Sequence, residues 1–136
     1  MKKERKEILL LLAVLIYGIF ALHLLATLFY FYWTLWWYDI MMHGLGGFFV
    51  GLSTLWFFYL SGYVQAPRNS LIFFYGIVSA LVVGVLWEVF EYIVGATNRD
   101  EYMFDTFLDL LMDIAGGLGA YYYFLSKWKE YTHAPR

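Results

Sequence analysis

Four apolar stretches restrict what this chain of 136 residues can fold into. They cover about residues 8–33, 39–63, 70–95 and 104–126, and each is near the roughly 20 residues that a helix needs to cross a bilayer. The chain is 62% hydrophobic and 24% aromatic, which is too apolar for a soluble domain of this size. No polar segment between the stretches is long enough to separate two folded units. We therefore predict one domain over residues 1–136, an all-α integral membrane protein that forms a compact bundle of four transmembrane helices.

The charge and the cysteine content exclude several classes of protein. The chain has no cysteine, so it can form neither a disulfide framework nor a thiolate metal site, and it has no cysteine nucleophile. A formal net charge of −2 argues against nucleic acid as a partner. The apolar run after the basic first residues is too long for the core of a signal peptide and has no cleavage site, so no cleaved leader is expected.

The basic residues separate by side if both termini are cytoplasmic. The outer side then carries Arg99 alone, and the inner side carries Lys2, Lys3, Arg5, Lys6, Arg68, Lys127, Lys129 and Arg136. The positive-inside rule favours this orientation. We therefore predict a multi-pass protein of the plasma (inner) membrane with both termini in the cytoplasm, which places most acidic residues in the outer half.

Three carboxylates lie in the fourth apolar stretch. Asp105, Asp109 and Asp113 are spaced at i, i+4 and i+8, so they share one face of a helix. Each charge near the centre of a bilayer costs about 2.5 to 3.5 kcal/mol on insertion scales. Intramembrane acids are therefore functional-site candidates, although neutral acids that only hold helices together through hydrogen bonds are the structural alternative.

The second and third stretches bring polar residues to the same depth. Asp39 and His43 are one turn apart on the second stretch, and Glu88 and Glu91 lie near the outer end of the third. Glycines that let helices approach closely are found on the same helices: Gly47, Gly51, Gly84, Gly95, Gly116, Gly117 and Gly119. We predict that the three helices share one polar pocket, which is open to the outer leaflet.

An excess of acids in that pocket favours a bound cation. Oxygen ligands suit Mg²⁺, Ca²⁺ or Mn²⁺ better than Zn²⁺ or Fe²⁺, and the predicted metal ligands are Glu88, Glu91, Asp109 and Asp113. The predicted catalytic pair is His43, oriented by Asp39, which would move a proton or activate an attacking hydroxyl. Asp105 at the mouth and Arg99 in the loop before the fourth stretch are the candidate substrate-binding residues.

Three motifs together resemble those of a known family. Tyr38-Asp39-xxx-His43, Trp87-Glu88-xx-Glu91 and Asp105-Thr106-xx-Asp109-xxx-Asp113-xx-Gly116 are similar to the VanZ-like membrane proteins, and most closely to their YjdF-type branch. The resemblance covers the second to fourth helices. It implies a helical domain with a conical polar pocket, in a wider grouping that looks similar to phosphatidylserine synthases and acts on lipid head groups.

The residues and the resemblance favour a metal-dependent enzyme that acts on a phosphorylated lipid at the outer leaflet. Both phosphoester hydrolysis and head-group exchange fit, so the enzyme would be a lipid phosphoesterase or a head-group transferase. A non-catalytic membrane protein that binds lipids or drugs and a divalent cation transporter stay open as alternatives. Membrane lipids are the expected partners, and a homo-oligomer also stays open.

Overall fold

The structure, a computed structural model, describes residues 3–61, 63, 68–95 and 102–133. Its elements in chain order are α1 (Lys3–Phe29), α2 (Phe31–Thr34), α3 (Tyr38–Leu55), a π-helical segment (Trp56–Leu60), α4 (Asn69–Val94) and α5 (Tyr102–His133). The described residues contain no strand. The prediction of an all-helical chain is therefore confirmed for this part of the protein.

Within the part of the chain that the structure describes, three helices are long and apolar enough to cross a membrane: Arg5–Phe29, Tyr38–Leu60 and Asn69–Val94. They correspond to the first three predicted spans. Helix α5 is not among them, although it is 32 residues long. A fourth span stays a prediction.

The first predicted helix is interrupted near its end. Tyr30 adopts a left-handed backbone conformation with φ of 60°, so α1 ends before it and the short α2 follows. The aromatic residues after the break fold back onto α1. The Tyr32 hydroxyl lies 2.9 Å from Nδ1 of His23, and the Tyr38 hydroxyl donates to the carbonyl of Leu22 at 3.0 Å.

The fourth helix is longer at both ends than the sequence predicts. It was expected over residues 104–126, whereas α5 runs from Tyr102 to His133. Near its C-terminal end Lys127 forms an ion pair with Glu7 of α1 at 3.1 Å. This contact ties the last turns of α5 to the beginning of the chain, which a pattern based on apolar residues alone does not reveal.

Glycines set the distances between α3, α4 and α5, which pack most closely on one another. A Cβ at Gly47 would overlap the backbone of Asp113, and one at Gly116 would overlap the carbonyl of Gly44. A Cβ at Gly117 would lie only 3.0 Å from the carbonyl oxygen of Gly76. The backbones of the three helices are therefore in direct contact.

Gly95 differs from the other predicted contact glycines. Its φ is 71°, it caps the end of α4, and a Cβ there would meet nothing within 4 Å. It ends a helix and does not serve helix packing.

At the other end of the bundle the core is apolar, with Ile8, Leu52, Leu55, Ile72 and Phe124 fully buried.

Candidate functional site

Seven predicted site residues meet at one end of α3, α4 and α5. We call them the polar cluster: Asp39, His43, Glu88, Glu91, Asp105, Asp109 and Asp113. Three groups among the described residues offer ligand atoms that lie within 4.8 Å of one another: Asp39–His43–Glu91, His43–Glu88–Asp109 and Asp39–Asp105–Asp109. Asp113 joins them through a hydrogen bond to His43. The structure thus gathers residues from three helices into one cluster.

His43 lies at the centre of the polar cluster and is only 6% exposed. Its Nδ1 is 3.1 Å from Oδ2 of Asp113, so with a proton on Nδ1 the ring donates to that carboxylate. Its Nε2 is 3.6 Å from Oε1 of Glu88 and 4.0 Å from Oδ1 of Asp39. One imidazole therefore faces carboxylates from all three helices.

Three buried atoms in the cluster lack a hydrogen-bond partner within the described part of the chain. They are Nε2 of His43, Oε1 of Glu88 and Oδ1 of Asp109. Glu88 is 4% exposed and Asp109 is 2% exposed, and a buried polar atom without a partner costs about 1 to 3 kcal/mol. With the proton on Nδ1, Nε2 of His43 and Oε1 of Glu88 are two acceptors that face each other, so a hydrogen-bond donor or a cation is needed between them.

The spacing of these three residues fits a divalent cation. Metal–nitrogen and metal–oxygen bonds of about 2.0 to 2.6 Å place two ligands of one ion on the order of 3 to 5 Å apart. The ligand atoms of His43, Glu88 and Asp109 lie within 4.8 Å of one another. In addition, a metal-binding histidine commonly donates its other ring N–H to a carboxylate, and Asp113 supplies that acceptor.

Two further side chains hold the glutamates of α4 in place. The hydroxyl of Thr106 on α5 donates to Oε2 of Glu88 at 2.6 Å, and Nε1 of Trp87 donates to Oε1 of Glu91 at 2.8 Å. The sequence predicts a role for neither residue. The i+4 spacing of Trp87 and Glu91 was a visible signal, whereas nothing in the sequence pairs Thr106 with Glu88, because they lie on different helices.

A cavity of about 280 Å³ adjoins the polar cluster. Asp39, His43 and Asp113 line it, and so do His23 and Tyr32 from the α1–α2 region. Burial is the main cause that raises the pKa of Tyr32, which lies outside the three apolar spans, and the nearby Asp39 carboxylate raises it further. The Tyr32 hydroxyl therefore remains a donor. The sequence predicts a functional role for neither Tyr32 nor His23.

Of the two predicted substrate-binding residues, the structure describes only Asp105. Asp105 is exposed and shares a group with Asp39 and Asp109, which agrees with a place at the mouth. Arg99 lies outside the described residues. Its predicted contact with an anionic group stays a prediction.

The fold and the apolar spans define a helical membrane protein. Residues 2–129 match the model of the DUF2238 family, described as predicted membrane proteins, and the chain therefore belongs to that family. No curated protein and no solved structure matches the chain.

Proposed function

We propose that this protein is a metal-dependent membrane enzyme that acts on the phosphorylated head group of a lipid, by phosphoester hydrolysis or head-group exchange. The observation that carries the proposal is the group of His43, Glu88 and Asp109. All three are buried, each has an atom without a hydrogen-bond partner within the described residues, and their ligand atoms lie within 4.8 Å of one another. The resemblance to the VanZ-like and YjdF-type proteins supports a lipid substrate.

The geometry favours a ligand set that differs in part from the one expected from the sequence. His43, Glu88 and Asp109 would hold the ion, and Asp113 would orient His43 through Nδ1. Glu91 belongs to a second group with Asp39 and His43. A divalent cation bound here would neutralise the oxygens of the phosphate.

Asp39 is the residue best placed to move a proton. Its Oδ1 lies 4.0 Å from Nε2 of His43, its side chain is 26% exposed, and it lines the cavity where a substrate would lie. A carboxylate at that position would accept the proton of an attacking water or lipid hydroxyl. In this proposal His43 is a ligand, and Asp39 takes over the role of base.

We further propose that α5 crosses the membrane as a fourth span and that the pocket opens to the outer leaflet. Helix α5 packs on both α3 and α4 through Gly116 and Gly117, so it lies at the same level as two apolar spans. Burial of Asp109 and Asp113 inside the bundle keeps their carboxyl groups away from lipid. The distribution of basic residues supports an outer site.

The apolar core below the cluster supports an enzyme site more than a route for ions. Leu52, Leu55, Ile72 and Phe124 are each fully buried there. An ion that left Asp113 towards the other end of the bundle would meet hydrocarbon side chains and would be poorly solvated.

Turnover of lipids by the purified protein tests the proposal. Phospholipids and isoprenoid phosphates are incubated with wild type and Mn²⁺, and head-group release is followed by mass spectrometry. We expect His43→Ala and Asp109→Asn, which each remove a proposed metal ligand, to reduce the rate by at least about 10- to 100-fold. Glu7→Gln is the matched control, because it neutralises a carboxylate at the opposite end of the bundle. The proposal fails if no lipid is turned over, or if the two site variants keep the wild-type rate.

A further inference from the structure

The cavity beside the polar cluster is a groove that runs along α3. Asp39 and His43 line its polar end, and Val50 lines its apolar end. Val50 lies eleven positions after Asp39, which corresponds to about 16 Å along a helix. Half of the hydrocarbon core of a bilayer is about 15 Å thick. The groove is therefore about as long as the part of a lipid chain that lies in one leaflet.

Helices α1 and α4 form the side walls of the groove. Ile16, Ile19 and Phe20 contribute from α1, and Val83 and Trp87 contribute from α4. Within the described residues α1 and α4 make no close backbone contact. Phe20 and Val83 are 58% and 44% exposed. The gap between these two helices therefore faces the lipid when α1 and α4 span the membrane.

We infer that the groove binds one apolar chain of the phosphorylated lipid, which enters sideways from the bilayer between α1 and α4. The chain lies along α3 towards Val50, and the phosphate lies at the His43 end. A volume of about 280 Å³ holds on the order of nine groups of the size of a water molecule or a methylene. This volume suits one apolar chain. The inference rests on the proposed function, because an acidic cluster attracts a phosphate only through a bound cation.

Gly46 offers a way to block the groove without disturbing the fold. It lines the groove, and a Cβ added to it would meet nothing within 4 Å. A leucine at position 46 therefore projects into the empty space where the chain would lie. Gly18 on α1 is the matched control, since a Cβ there also meets nothing within 4 Å but the residue does not line the groove. Both substitutions remove a glycine from the interior of a helix, so both change helix propensity by the same amount.

The test measures three ligands by calorimetry with the full chain held in amphipol: Mn²⁺ alone, inorganic phosphate with Mn²⁺, and dodecyl phosphate with Mn²⁺. Each buried methylene changes the dissociation constant about fourfold, so loss of two or more gives about tenfold or greater weakening. We expect this loss for dodecyl phosphate with Gly46→Leu. Gly18→Leu should match wild type for all three ligands, and Gly46→Leu should match it for Mn²⁺ and inorganic phosphate.

The three ligands separate failure of the groove from failure of the metal site. Equal binding of dodecyl phosphate by wild type and Gly46→Leu, with Mn²⁺ still bound, overturns the chain groove and leaves the proposed function standing. If Mn²⁺ does not bind to wild type, the proposed function fails, and the inference fails with it. A fourth ligand, dodecyltrimethylammonium without metal, checks the head group. If it binds and dodecyl phosphate does not, the assignment of a phosphate head group is overturned.

Discussion

Asp109→Asn should stabilise the protein without a divalent cation and weaken it in the presence of one. Asp109 is 2% exposed, and its Oδ1 has no hydrogen-bond partner among the described residues. It also lies close to Asp39, Glu88 and Asp105. Asparagine has nearly the same size but carries no charge, so it removes the cost of burying a carboxylate beside other carboxylates. In chelator we expect the variant to be more stable than wild type by about 1 kcal/mol.

A bound cation reverses this order. At a concentration of one hundred times the dissociation constant, an ion that binds only the folded state stabilises it by about 2.7 kcal/mol. If loss of the charged ligand weakens binding about a hundredfold, the same concentration stabilises the variant by only about 0.4 kcal/mol. The difference of about 2.3 kcal/mol exceeds the gain of about 1 kcal/mol in chelator. Wild type should then be the more stable protein by about 1 kcal/mol.

The assay is unfolding in detergent with either chelator or Mn²⁺, for wild type, Asp109→Asn and Glu7→Gln. Glu7 pairs with Lys127 at the opposite end of the bundle, and loss of a partly exposed pair costs about 0 to 1 kcal/mol. The control should therefore lose the same small amount in both buffers. A loss of stability in Asp109→Asn that is equal with and without Mn²⁺ would refute the reasoning. It would show that Asp109 only joins helices through hydrogen bonds.

Two further predictions concern packing and topology. Gly47→Leu should lower the free energy of unfolding by about 3 kcal/mol or more, because its side chain would overlap the backbone of Asp113; Gly18→Leu, measured in the same denaturation series, should lose nothing. Reporter fusions at Gln65 and Arg99 should report opposite sides of the membrane, with Arg99 outside, as the distribution of basic residues requires; a fusion at Gln65 that reports the outside would contradict the orientation.

The sequence predicted the position of the polar cluster because that position depends mainly on regular helix geometry. The period of 3.6 residues places Asp105, Asp109 and Asp113 on one face, and the rise of about 1.5 Å per residue gives the depth of each group. Both quantities are fixed once a stretch is helical. Gly47 and Gly84 were predicted as contact positions for the same reason, and both lie against Asp113.

Other features depend on contacts between helices, which a linear pattern does not contain. The pairing of His43 with Asp113 requires the rotation of α3 relative to α5, and so does the difference between a ligand and the residue that orients it. The break at Tyr30 arises in an apolar aromatic segment whose composition gives no signal for a left-handed residue. Without that break, Tyr32 could not be placed beside His23 at the cavity.

Asp113 links the alignment of the three helices to the orientation of His43. Its backbone lies against Gly47 of α3, its carboxylate lies against Gly84 of α4, and the same carboxylate accepts from His43. A shift of α5 by one residue would bring Met112 or Ile114 to this position and would leave His43 without its acceptor. The alignment of α5 and the orientation of the His43 imidazole therefore depend on the same residue. A bundle with α5 out of alignment cannot retain the site. A substitution of Asp113 would therefore change helix packing and the chemistry of His43 together.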